Sequence, residues 1–341
     1  MPKTTTPKSF VDKNPIIYFP VSNLNGLSKE QRAMLELQIM LGIDWTEIMK
    51  LLIAYAITFV PLAICLFCCM CSYLTAFTRN LRDHVGSPLF PLIISSYRTI
   101  RYHYIGFFVF GIAGIAMSIG SQVYLAVLFM RVFVFLAYVL TVYVAMYQIV
   151  ISIVSIHRFI NSRQSPELRG ELTRCNVFFL IIFMTFVVLF KDIGMGVWMM
   201  ILVLDNDSST TTIYTFTTYY SMVYVTHQIL LFIATIFQFC ISEAPKSHSE
   251  YCVVTHTKYI GLVKMILGAI CFACYLLKYE TVIVSILLRN DFFCDLSTFQ
   301  ASTIFFGVDI FLVPVVIQIT EIRAKPNVII PTEIQKVPMK V

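Results

Sequence analysis

From Val132 to Ile156 the chain runs for roughly 25 residues without a charged side chain, between Arg131 and the basic pair His157-Arg158. As a helix rising about 1.5 Å per residue, that stretch reaches about 37 Å, more than the roughly 30 Å of hydrocarbon in a bilayer. A helix apolar on every face has no place on the surface of a soluble domain. The stretch therefore reads as a membrane span ending in an arginine collar near Phe159. Tyr143 and Tyr147 stand one turn apart on it, and Gln148 adds an amide near mid-span. Such side chains lack partners when they face lipid, so the span belongs inside a bundle.

Six further runs complete the pattern: residues 51–73, with Pro61 as a kink; 104–127, followed by a tight turn at Arg131; 176–204, interrupted by Lys191-Asp192; 213–239; 259–276, reaching 288 if tilted; and 298–319. The sequence thus predicts an all-α membrane protein, a bundle of seven transmembrane helices. It divides into a segment over 1–47, a bundle over 48–322 and a tail over 323–341. Composition agrees. Charged residues are 13% of the chain, against about 25% in a soluble domain, and mean hydropathy is +0.80. The net charge of +6 is small for 341 residues and sits in the predicted loops, which points to topology and away from nucleic acid. Residues 1–47 hold no apolar core of a signal peptide, so the first span is expected to insert the chain. Ser28 and Gln31 have the form of a capping box and predict a short amphipathic helix at the membrane surface.

Arginine placement sets the orientation. Arg79, Arg82, Arg98 and Arg101 are assigned to the loop after the first span, and Arg163, Arg169 and Arg174 follow Arg158 after the third. The tail carries Arg323, Lys325, Lys336 and Lys340, whereas the alternate loops hold little beyond Arg131 and Arg289. A loop with Pro245, Lys246 and Lys258 is near-neutral. The positive-inside rule then predicts a multi-pass protein of the cell membrane with its amino terminus outside and its tail in the cytoplasm. Asn206-Asp207-Ser208 is a glycosylation sequon that falls on the outer face of this topology.

The candidate site residues are polar or ionisable groups within spans. Tyr220, Tyr224 and His227 fall at i, i+4 and i+7 on one face of the fifth span, where they can line a small-molecule pocket. His227 is able to change charge near neutral pH. Tyr143, Tyr147 and Lys278 are the other candidate ligand contacts. Asp309 lies mid-way along the last span, with Pro314 five residues on. A carboxyl at that depth needs a partner or a water-filled cavity, and the proline loosens the backbone beside it. That pairing predicts a switch network with the second or third span. Each of these residues has a plainer reading as a satisfied contact between helices, and Lys191, Asp192 and Glu280 as charges snorkelling to the interface. Of the ten cysteines, Cys65 and Cys68 form a Cys-x-x-Cys without a second pair. No His/Cys/Asp cluster has ligand spacing, so neither metal nor cofactor is expected. No nucleophile stands beside a base and no glycine-rich loop cradles phosphate, so catalysis is not expected either.

Three stretches resemble the nematode serpentine chemoreceptors, most closely receptor class Z: Asn80 to Asp83 with Pro88-Leu89-Phe90-Pro91 and Tyr97; Ser155 to Phe159; and Asp309 with Pro314-Val315-Val316-Ile317-Gln318. Ser95-Ser96 and Glu321 depart from that pattern. The resemblance implies a G-protein-coupled chemosensory receptor that takes an odorant or pheromone within the bundle. It implies a heterotrimeric G protein as partner, with Arg158 at its contact and Asp309 and Pro314 in the switch. Pairing of the chain with itself or with another receptor stays open. So does a second reading, a seven-span channel or transporter whose path runs past Lys191, His227, Lys278 and Asp309. A glycan on Asn206 favours the receptor, and a cytoplasmic amino terminus the channel.

Overall fold

The computed structural model describes residues 45–120, 122–204, 209–279 and 298–324. Among them are seven long helices and no strand: α1 (Trp45–Val85), α2 (Phe90–Ile119), α3 (Val123–Arg163), α4 (Arg174–Leu204), α5 (Ser209–Cys240), α6 (His248–Tyr279) and α7 (Thr298–Arg323). The chain divides into two units, Met1–Leu52 and Ile53–Val341, and the side-chain contacts described below lie within the second. Five of the described helices, α1 to α5, contain stretches long and apolar enough to cross a membrane. The capping box at Ser28, the sequon at Asn206 and the loop and tail residues Glu280, Arg289, Cys294 and Lys325 lie outside the described residues, as do the side chains of Tyr220 and Lys278.

The distribution of side chains is inverted relative to a soluble protein. Phe183, Phe186, Phe190, Trp198 and Met200 stand exposed along α4, while Asn80, Gln148, Gln238, His256, Lys264 and Asp309 are buried among the helices. Lipid is the solvent that makes such an arrangement stable, because exposed apolar groups cost nothing there and polar groups gain partners only inside. The hub is α3, which packs against α2, α4, α5, α6 and α7. It buries Leu140, Val144, Tyr147, Ile151 and Val154 along its length.

Several expected boundaries shift. The turn before α3 falls at Gly120–Gln122, where the Gly120 and Gln122 amides bond the carbonyls of Ala116 and Met117, and not at Arg131. Arg131 lies on an exposed face inside α3, where its long side chain reaches outward without breaking the helix. Lys191 and Asp192 do not interrupt α4. They neutralise each other at 2.9 Å, and Tyr138 of α3 donates to Asp192 at 3.1 Å. Only Gly86 to Leu89 separates α1 from α2, so Arg79 and Arg82 belong to the last turns of α1, and Arg98 and Arg101 to α2. Ser87 closes that turn by accepting the Leu89 amide, and Pro91 fits the first turn of α2, where a missing N–H is no loss. Lys258 likewise lies within α6. Within α2, residues Thr99–Tyr104 form a π-helical stretch, which turns Ile100 and Tyr104 to the core and leaves Arg101 and Tyr102 outside.

Pro314 is accommodated inside an unbroken α7. Having no N–H, it leaves the carbonyl of Ile310 without its helical partner. The Tyr104 hydroxyl donates to that carbonyl, so α2 repairs from outside what the proline removes from within. At the crossing of α5 and α6, a Cβ on Gly261 would meet the Thr235 side chain at 1.9 Å, closer than any contact permits. Hydrogen there brings the two backbones together, and Thr235 donates to the Leu231 carbonyl of its own helix.

Candidate ligand pocket and the Arg158 end

A cavity of about 250 Å³ opens between α3, α4, α5 and α7. Its wall is formed by Tyr138, Thr141, Val144, Ala145 and Gln148 of α3, Lys191 and Asp192 of α4, Val223, Tyr224 and His227 of α5, and Asp309 and Ile310 of α7. The α3 positions follow from the helical period. At about 100° per residue, 141, 144, 145 and 148 share one stripe, while 143 and 147 fall on the far side. Tyr147 accordingly is fully buried and shares a hydrogen bond of 2.7 Å with His256 Nδ1 of α6, and Tyr143 donates to Ser96 Oγ of α2 at 2.7 Å. Of the residues singled out in the sequence, the cavity wall thus holds Tyr224, His227 and Asp309 together with Gln148, Lys191 and Asp192, and Tyr143 and Tyr147 bond neighbouring helices instead.

Asp309 meets a residue that the sequence reading passed over. Lys264 of α6 forms an ion pair with its carboxylate and also donates to the Tyr224 hydroxyl. The Lys264 side chain is fully buried and that of Asp309 is 8% exposed. The carboxyl is therefore tied to α6 through Lys264, and it faces Gln148 of α3, the third span, across the same cavity. The link to α2 runs through the neighbouring residue, Ile310, and its Tyr104 bond. A signal was present in the sequence: Lys264 interrupts an otherwise apolar run, and a cation at that depth needs a counter-charge. The pair gives the cavity a charged corner at Asp309, beside the polar groups of Gln148, His227, Lys191 and Asp192.

The other end of the bundle is organised by Arg158. Ten residues separate it from Gln148, about 15 Å along α3. Its guanidinium reaches three elements: Nε lies 2.6 Å from Glu250 Oε1 of α6, Nη1 donates to Gln238 Oε1 of α5 at 2.9 Å, and Nη2 donates to the Glu243 carbonyl at 2.7 Å. Glu250 is itself fixed by the start of α6. Ser247 Oγ accepts the Glu250 amide at 3.2 Å, and Glu250 Oε2 accepts the Lys246 amide at 2.8 Å, a capping-box arrangement. Around these residues lies a wider cavity of about 690 Å³, rimmed by Arg158, Arg169, Arg174, Glu243 and Glu250. Ser155 adds a second tie below the arginine, with its hydroxyl 3.0 Å from Thr257 of α6.

On the opposite face of the same two turns of α6, His248 and Cys252 approach His84 of α1 and Glu321 of α7. At about 100° per residue, 248 and 252 share one face and 250 points away from it. No run of the sequence brings all four together, since they come from three helices. Only His248 and Cys252, one turn apart, were there to be noticed.

The family model described as "Serpentine type 7TM GPCR chemoreceptor Srz" matches residues 56–324 of this chain. No curated protein and no solved structure matches it.

Proposed function

The chain belongs to the Srz family of serpentine seven-transmembrane chemoreceptors, and we propose that it binds a small molecule in the α3–α4–α5–α7 cavity and signals to a heterotrimeric G protein from its Arg158 end. The observation that carries this reading is the pairing of two sites on one set of helices. A mostly apolar cavity has in its wall Asp309, whose buried ion pair with Lys264 links α6 to α7, and about 15 Å along α3 an arginine ties α3 to α5 and α6.

The cavity dictates the ligand's character. At about 250 Å³ it lies just under the roughly 300–1,000 Å³ of pockets for drug-sized molecules, so a volatile-sized ligand fits it. Apolar surface from Val144, Ala145, Val223 and Ile310 favours a hydrophobic body, and Gln148, His227 and Asp309 offer hydrogen bonds to one polar group. A ligand group that bonds Asp309 competes with Lys264 and loosens α6 from α7. Movement of α6 then pulls Glu250 from Arg158 and opens the cavity beyond it. To move the population from 1:99 to 99:1, the ligand must favour the open state by about 5.5 kcal/mol.

This reading places the Arg158 end in the cytoplasm and the amino terminus outside, as the positive-inside rule requires. Expression of the full chain with a G-protein reporter and a panel of small odorants tests it. A concentration-dependent response that disappears when the G protein is uncoupled is the expected result. An ion current that persists without G protein would instead establish the channel reading.

A further inference from the structure

We infer that the Arg158 end of the bundle holds a zinc site, with His84, His248, Cys252 and Glu321 as its four ligands, which clamps α6 to α1 and α7. The four side chains each offer one ligand atom, and those atoms all lie within 4.8 Å of one another. Around a tetrahedral zinc, with bonds of about 2.0–2.3 Å, ligand atoms stand roughly 3.3–3.8 Å apart. His84 Nε2 already lies 3.1 Å from Glu321 Oε1, Cys252 Sγ 3.6 Å from Glu321 Oε2, and His248 Nε2 3.8 Å from Glu321 Oε1. Small side-chain rotations bring the set to bonding distance without moving a helix.

The surroundings are those of a ligand site. All four side chains are buried, and His248, 3% exposed, makes no hydrogen bond through either ring nitrogen. Its Nε2 stands 3.8 Å from Glu321 Oε1, beyond hydrogen-bond reach, and a buried imidazole in that position is suited to a metal ion between the two. His84 is oriented for the role: Ser249 Oγ holds its Nδ1 at 2.9 Å, which aims Nε2 at the cluster. Metal-bound histidines are fixed by such a bond on the second nitrogen. Asn80 Nδ2 does the same for the carboxylate, donating to Glu321 Oε1 at 2.9 Å.

The donor set selects the metal. One thiolate and two imidazoles suit zinc and exclude magnesium and calcium, which take oxygen. The charges also close, since a divalent cation with one thiolate and one carboxylate is neutral, as a site at the edge of a membrane demands. Binding releases the Cys252 thiol proton to water, with no change of oxidation state. The wider cavity comes near the cluster, since its wall includes Ser87 and Ser247, and Ser247 is the chain neighbour of His248.

Two of the ligands lie on α6 and two on its neighbours, so the metal holds α6 in the closed position. That regulatory role rests on the receptor reading above, whereas the site itself does not. The test uses the full chain in detergent or nanodiscs, dialysed against Zn²⁺ alone. We expect one more zinc per chain in the wild type than in Cys252→Ser, a difference that discounts the other nine cysteines. X-ray absorption at the zinc edge of the wild type, which needs no variant to fold, should give a shell of one sulfur and three nitrogen or oxygen atoms. Equal zinc content in wild type, Cys252→Ser and His248→Ala, or a shell without sulfur, overturns the site. In membranes with G protein, a zinc chelator should raise basal nucleotide exchange several-fold in the wild type and leave Cys252→Ser unchanged. A flat response with zinc demonstrably bound overturns the clamp. Absence of exchange with every ligand tested overturns the receptor reading and leaves the zinc count standing.

Discussion

The hydroxyl of Tyr104 on α2 bonds the carbonyl of Ile310 on α7, the one that Pro314 deprives of its helical donor. The bond lies next to Asp309, so it fixes the backbone that presents the carboxyl to the cavity. Tyr104→Phe should lower the thermal stability of the solubilised protein by about 0.5–1.5 kcal/mol, the net worth of one such bond. In a Pro314→Ala background the helix regains its own donor, and the same substitution should become nearly neutral. A thermal-shift double-mutant cycle reads the difference, and additive effects would mean that the tyrosine is not repairing the proline.

Lys264 and Asp309 bury opposite charges against each other. Lys264→Met leaves the carboxylate alone and should cost about 3–5 kcal/mol, whereas the double variant Lys264→Met/Asp309→Leu should recover most of that. Melting of the two variants in detergent checks it. A double variant as unstable as the single would show that the pair has other indispensable partners.

Arg158→Ala should reach the cell surface at normal levels and fail to activate the G protein. Glu250→Gln should raise basal signalling about fivefold, because a partly exposed ion pair contributes on the order of 1 kcal/mol to the closed state. Surface labelling together with ligand-free reporter activity measures both. Unchanged basal activity in Glu250→Gln would remove this contact from the switch.

Ala145 and Thr141 line the cavity beside Tyr224 and His227. Ala145→Phe fills much of the available space and should abolish the response to any ligand that the wild type detects, with surface level intact. Tyr143→Phe, on the far face of α3, should leave ligand potency within about threefold, since the ring keeps its packing and gives up one hydrogen bond of about 1 kcal/mol. Dose–response curves for both variants discriminate the two faces.

Much of the architecture can be read from the chain without the structure. Runs free of charge announce helices, and Arg158 and Asp309 stand out because arginine and aspartate are rare where they occur. Boundaries are harder. Arg131 and Lys191-Asp192 look like breaks, yet a long side chain can leave a helix without ending it and adjacent opposite charges can satisfy each other. Partnership is harder still. Nothing in one sequence states that Lys264 faces Asp309 across 45 positions, or that His84 closes on Glu321. Such pairs depend on how helices rotate against each other, which the apolar majority of each span sets collectively. The faces of α3 show the same limit, since Tyr143 and Tyr147 are conspicuous by chemistry and the less conspicuous Thr141 and Ala145 hold the cavity.

The first two turns of α6 are engaged on both flanks, by Arg158 through Glu250 and by His84 and Glu321 through His248 and Cys252. A twist about the helix's own axis that slackens one flank tightens the other, so neither can be released by degrees. Departure has to be a whole-body swing in which both grips fail at once. Under the proposed receptor function, such a latch would set a threshold: weak ligands would leave it shut, and a sufficient one would open it fully.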